Sequence, residues 1–101
     1  MAAQRKDPVL ARIQLAAKLG VLRTTKHSRE RMGERSVTAE DVREAILTST
    51  RVIEQLDEEK RDEDGEPRVQ FRLEGGTDID GEPLKVVVAE EPRGLRLVTV
   101  M

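Results

Sequence analysis

The stretch PRVQFRLEGGTDIDGEPLKVVVAEEPRGLRLVTV, residues 67–100, decides the fold. Val69, Phe71 and Leu73 alternate with Gln70, Arg72 and Glu74. That is the period of a half-buried strand, whose side chains point to opposite faces in turn. Gly75-Gly76 ends this strand, and Asp80-Gly81 supplies a turn. From Leu84 to Ala89 the chain is apolar on both faces, as a central strand requires. Pro92-Arg93-Gly94 turns it again, after which Leu95, Leu97 and Thr99 alternate with Arg96, Val98 and Val100. Short connections between neighbouring strands imply an antiparallel meander.

Upstream the period is helical. Asp7-Pro8 opens a helix at about 8–19, since Asp caps backbone amides and Pro lacks an amide that would go unbonded there. Val9, Ile13, Ala16 and Ala17 form its apolar stripe, widened by Leu10, Leu15 and Leu19, and Gly20 stops it. Residues 21–25 read as a short extended segment. Next comes KHSRERMGERSV, residues 26–37, a short charged helix ending near Gly33 with Met32 as its strong apolar anchor. Thr38 and Asp41 form a capping box for a helix at about 39–48, with Ala39, Val42, Ala45, Ile46 and Ser49 on one face. Val52, Ile53 and Leu56 begin a further strand. Helices first and strands after give an α+β domain, a small antiparallel sheet with the helices on one face. Its helical part covers about 8–48 and its sheet part about 51–100. A length of 101 residues makes a single domain, 1–101, with one modest core.

Charge is unevenly spread. Residues 1–56 hold 11 Lys/Arg against 7 Asp/Glu, a balance of +4, whereas residues 57–101 hold 7 against 13, a balance of −6. Much of the acid sits in DEEKRDEDGE, residues 57–66, which should repel itself and form a solvated loop. Neither Asp62, Asp64 and Glu66 nor Asp78 and Asp80 have the spacing of a calcium loop closed by a bidentate Glu. Absence of Cys excludes disulfides, thiol catalysis and Cys-ligated zinc. No apolar run approaches the 20 or so residues of a membrane span, and MAAQRKDPV lacks the apolar core of a secretory signal. The expectation is a cytoplasmic protein with no membrane, cofactor or metal.

One feature carries chemistry. His27, Arg31 and Arg35 stand at i, i+4 and i+8, on one face of the short helix. Lys26 and Arg29 lie nearby and Arg23 precedes them. The imidazole therefore sits inside six basic groups between Lys18 and Arg35, interrupted by Glu30 and Glu34. Such a set suits a phosphodiester, because cations hold the phosphate and stabilise its added transition-state charge while His moves the proton. The plainer reading is a solvated helix face exchanging weak surface ion pairs. Alternation also places Gln70, Arg72, Lys85 and Arg96 on the strand faces opposite Phe71, Leu84, Val86 and Leu97, where they could contact RNA or simply form a solvated outer face.

The string TTKHSRERMGERSVTAEDVREAI, residues 24–46, together with DGEPLKVVVA, residues 80–89, resembles domain-of-unknown-function family 4258. Its pattern is His-x-x-x-Arg-Met-x-x-Arg, a capping Thr or Ser, then a Gly-x-x-Leu-x-Val-Val strand. IQLAAKLGVLRTTKHS, residues 13–28, is similar to the opening of the motility quorum-sensing regulator toxins. These resemblances imply a RelE-like toxin fold with a curved sheet. They also imply ribonuclease activity on mRNA in a bacterial toxin–antitoxin pair, and a cognate antitoxin of a kind that often carries a zinc finger. His27, Arg31 and Arg35 match the family motif residue by residue.

The function expected is therefore metal-independent cleavage of RNA, with His27 as general base or acid and Arg31 and Arg35 on the scissile phosphate. Arg23, Lys26, Gln70, Arg72, Lys85 and Arg96 would bind the rest of the RNA. The chain is acidic overall and has no Tyr. Its one aromatic, Phe71, falls on the core face, so any base stacking rests with Arg or His27. The alternatives are a non-catalytic protein-interaction module with the same fold and an RNA-binding domain without turnover.

Overall fold

Local chemistry sets the ends of three helices in the computed structural model, which describes residues 8–61, 67–91 and 94–101. Helix α1 spans Pro8–Leu19. It closes in a Schellman motif: Gly20 takes φ 72°, its amide bonds Ala17 O at 3.2 Å, and the Val21 amide bonds Ala16 O at 3.0 Å. Helix α2 spans Lys26–Glu34. Its N-terminus carries a second capping box, in which the Ser28 amide donates to Thr25 Oγ1 at 3.1 Å and the Thr25 amide donates to Ser28 Oγ at 2.8 Å. The helix stops at Glu34, next to the expected end near Gly33. Ser36 enters the left-handed region at φ 55°, and its amide and that of Val37 bond back to Gly33 O and Met32 O.

Helix α3 spans Ala39–Thr48 and begins in the expected box, with the Asp41 amide on Thr38 Oγ1 and the Thr38 amide on Asp41 Oδ2. At its other end Gln14 of α1 donates to Ile46 O, Leu47 O and Ser49 O, where the helix runs out of intrahelical donors.

Strands β1 (Arg51–Arg61), β2 (Pro67–Glu74), β3 (Val86–Glu91) and β4 (Gly94–Val100) form one antiparallel sheet in the order β1-β2-β3-β4. This is the expected meander, with β3 interior: Val86, Val87, Val88 and Ala89 are all buried. The acidic run departs from expectation. Backbone residues 57–61 belong to β1, with Asp57 opposite Arg68 and Arg61 opposite Pro67. Ladder hydrogen bonds to β2 thus prevail over the self-repulsion that suggested a loop. Asp62, Asp64 and Glu66 lie outside the described residues. The extended segment after α1 docks on the free edge of β4. There Arg23 forms a parallel bridge with Arg96, its amide bonding Leu95 O at 3.0 Å and its carbonyl accepting from Leu97 at 2.7 Å.

The core lies between the helices and one sheet face. Ile13, Ala16 and Ala17 of α1 and Val42, Ala45 and Ile46 of α3 pack with Phe71, Leu73, Val86, Val88, Leu95 and Leu97. Gly76 permits that approach, because a Cβ there would overlap the Ala45 carbonyl and stand 2.7 Å from Ser49 Oγ. No helix among the described residues is long and apolar enough to cross a membrane.

Candidate functional site

Helix α2 presents its basic residues to solvent. Ser28 is buried and Met32 packs on the core, so Lys26, His27, Arg29, Arg31 and Arg35 are turned outward. Arg31 and Arg35 line an open groove of ≈520 Å³ with Glu34, Val37, Asp78, Pro83 and Leu84. His27 lies one turn earlier on the same exposed helical face and is outside the lining. The groove's electrostatics are balanced. Arg31 Nη1 lies 3.5 Å from Glu34 Oε2, and Asp78 stands on the opposite wall. Asp78 is itself occupied in turn formation, accepting from the amides of Asp80 at 2.9 Å and Glu82 at 3.0 Å. Asp41 ties the same loop to α3 through the Ile79 amide at 3.3 Å. The Thr38 amide, helped by Ile79 and the Thr38 hydroxyl, holds the Asp41 carboxyl below its usual pKa.

The remaining candidates are divided between two places. Arg23 is exposed, and its backbone is locked onto β4. Gln70, Arg72, Lys85 and Arg96 occupy the sheet face turned away from the helices, as alternation required. That face is less open than a solvated outer surface. Gln70 is buried, as are Val87 and Ala89 beneath it. Arg72 stands opposite Val87 and Arg96 opposite Ala89 in register, so the arginine stems cover the small side chains. Arg96 Nε is 2.9 Å from Glu91 Oε1.

Glu74, unremarked in the sequence, collects three cations. Arg51 Nη2 donates to its Oε1 at 2.6 Å, while Arg72 Nε and Lys85 Nζ lie 3.4 and 3.6 Å from its Oε2. The Arg51 hydrogen bond, then the charges of Arg72, Arg51 and Lys85, hold the Glu74 carboxyl below its usual pKa against the opposing effect of burial. The sheet thus separates these cations from α2. The two groups approach each other at the loop before β3, where Pro83 lines both the α2 groove and a hollow beside Arg72 and Lys85. Arg51 and Glu74 were missed because their meeting depends on the β1–β2 register. Alternation within one strand carries no such information.

A third hollow is apolar. It encloses ≈250 Å³ among Ala17, Leu22, Met32, Val42, Ile46 and Leu97, with Thr24, Glu40 and Arg43 also in its wall. Among the described residues no group of three or more His, Asp or Glu is placed to hold a metal ion.

Searches of curated proteins and of solved structures return no match. The family model described as "Domain of unknown function (DUF4258)" matches residues 24–101, from the strand-edge segment before α2 to the end of the sheet. That match covers most of the chain, the whole sheet and both capped helices α2 and α3, and the protein belongs to the DUF4258 family.

Proposed function

We propose that this protein is a metal-independent endoribonuclease of the toxin type. The observation that supports it best is the outward array on α2, where His27, Arg31 and Arg35 share one exposed helical face and the two arginines line an open groove. In this reading the groove admits an RNA phosphodiester. His27 takes the proton of the 2′-hydroxyl, whose oxygen attacks phosphorus. Arg31 and Arg35 stabilise the charge added to the non-bridging oxygens. The P–O5′ bond breaks, the leaving oxygen receives a proton, and a 2′,3′-cyclic phosphate remains. The resemblance of residues 13–28 to the opening of the motility quorum-sensing regulator toxins, which implies a RelE-like fold, adds to this reading. So does the partner class that it brings, a cognate antitoxin, often of zinc-finger type.

The test is incubation of mixed RNA with the protein in EDTA. Wild type should produce 2′,3′-cyclic ends, and His27→Ala should lose about 10²–10⁴-fold of the rate, the usual share of a general acid–base. Equal rates in both proteins, or no cleavage by either, overturn the proposal.

A second reading is a protein-interaction module without turnover. Exposed Leu15, Leu19 and Val21 around the end of α1 favour it, together with the apolar hollow between α1, α2 and α3. Recovery of a small partner from native lysate without RNA cleavage would select this reading.

A further inference from the structure

We propose that Arg51, Arg72 and Lys85 form a binding site for a phosphoryl dianion on the helix-free face of the sheet, with Glu74 as its built-in counter-ion. This site goes beyond the ribonuclease reading and does not depend on it.

The strand register builds the cluster. Arg51 of β1 is directly opposite Glu74 of β2, and Leu73 is opposite Val86, which brings Lys85 level with Glu74 on the other side. Arg72 is two residues before Glu74 on the same strand face. Three cations therefore surround one carboxylate, an excess of two positive charges among the described side chains of the cluster. The centre of the cluster is partly withdrawn from water, with the Glu74 side chain 19% exposed and that of Arg72 34%, while Arg51 and Lys85 reach into solvent around it. Partial withdrawal weakens solvent screening, so the excess charge is felt strongly at short range.

Space for a ligand lies next to the charge. A hollow of ≈340 Å³ is lined by Arg72, Lys85, Pro83 and Met101. Ligand sites usually fall in the range of about 300–1,000 Å³, so this one suits a small group. Arg72 Nε is buried and unaligned for a hydrogen bond with Glu74, whose Oε2 is 3.4 Å away. The depressed Glu74 carboxyl reports the same positive field. The carboxylate of Asp78 lines the α2 groove rather than this hollow.

Charge matching selects the chemistry. A phosphoryl dianion neutralises the two excess charges, with a guanidinium offering planar donors and the ammonium a point charge. A lone carboxylate would leave one charge unmatched. Free phosphate compounds and the terminal phosphate of RNA share this group.

The full chain should be titrated with inorganic phosphate at low ionic strength while the Lys85 amide and Arg72 Nε–H resonances are followed. Saturable shifts at both are expected. Lys85→Met should weaken binding about tenfold, the size of one charge-assisted hydrogen bond. Glu74→Gln should tighten it by a similar factor, because the counter-ion is gone and the cations are released. A purely structural ion cluster would show neither effect. Non-saturable shifts, an unchanged Lys85→Met, or a Glu74→Gln that binds no better each overturn the site. If Glu74→Gln fails to fold, Arg51→Met, a change at a side chain that is 69% exposed, must weaken binding as Lys85→Met does. RNA carrying a 5′-phosphate is then compared with 5′-hydroxyl RNA. Tighter binding of the former than of inorganic phosphate assigns the site to RNA ends, and equal binding assigns it to free phosphate compounds. A chain that binds phosphate but cleaves no RNA retains this site and loses the nuclease.

Discussion

Gly76→Ala tests how closely the sheet approaches α3. Gly76 is outside the left-handed region, so no backbone strain opposes Ala and the folded-state cost comes from the contacts of the added Cβ. The new Cβ would overlap the Ala45 carbonyl oxygen, and it would stand 2.7 Å from Ser49 Oγ and 2.9 Å from the Ala45 carbonyl carbon. Two of these three atoms are backbone, and the third is fixed by a 2.7 Å hydrogen bond to Ala45 O. Relief requires the end of α3 to move away from the sheet. Overpacking of this kind costs about 1–3 kcal/mol, and loss of the Ser49 bond adds about 1 kcal/mol. The stiffer unfolded chain returns about 0.4–1 kcal/mol. A net loss of about 2 kcal/mol is expected. With a urea slope of about 1–3 kcal/mol/M, the denaturation midpoint should fall by about 1 M at an unchanged slope. Gly33→Ala is the control. It lies inside α2 with nothing within 4 Å of its added Cβ, so it should stabilise by about 0.5–1 kcal/mol. A Gly76→Ala midpoint within error of wild type, or a Gly33→Ala that is equally destabilised, would refute the packing argument.

Ser36→Gly should raise stability by about 1 kcal/mol in the same urea experiment, since a non-glycine residue at φ 55° carries a Cβ clash that glycine lacks. Thr38→Ala should cost about 1 kcal/mol through loss of the α3 cap. Stability should also fall in acid. The Asp41 carboxyl is held below its ordinary pKa, so its contribution is fully present above the unfolded value, near 4, and is lost as pH drops through the folded one. Urea melts at pH 7 and pH 3 should show the decline, and Asp41→Asn should make it shallower.

Much of the architecture was legible because it is local. Proline, glycine and threonine act on adjacent amides, so the limits of α1 and α3 could be read from Pro8, Gly20 and Thr38. The end of α2 was legible near Gly33, one residue from Glu34, but the left-handed turn at Ser36 just beyond it was not, because Ser leaves no mark as plain as glycine. The cap formed by Thr25 and Ser28 was present in the sequence and escaped notice among the charges around it. Residues 57–61 were assigned to a loop because charge repulsion is visible locally and a ladder of hydrogen bonds to β2 is not.

The sequence by itself determined the order of helices and strands, the antiparallel meander, and the inward direction of Phe71 and Leu73. It also determined that His27, Arg31 and Arg35 share a helical face. All of these follow from backbone periods and from interactions a few residues apart. Only the tertiary structure decided that Arg31 and Arg35 face Asp78 across a groove, and that Arg51, Arg72 and Lys85 gather on Glu74. It also set the sheet between α2 and the cations of β2, β3 and β4. Those arrangements depend on register and on which sheet face the helices cover, and both arise from contacts between segments far apart in the chain.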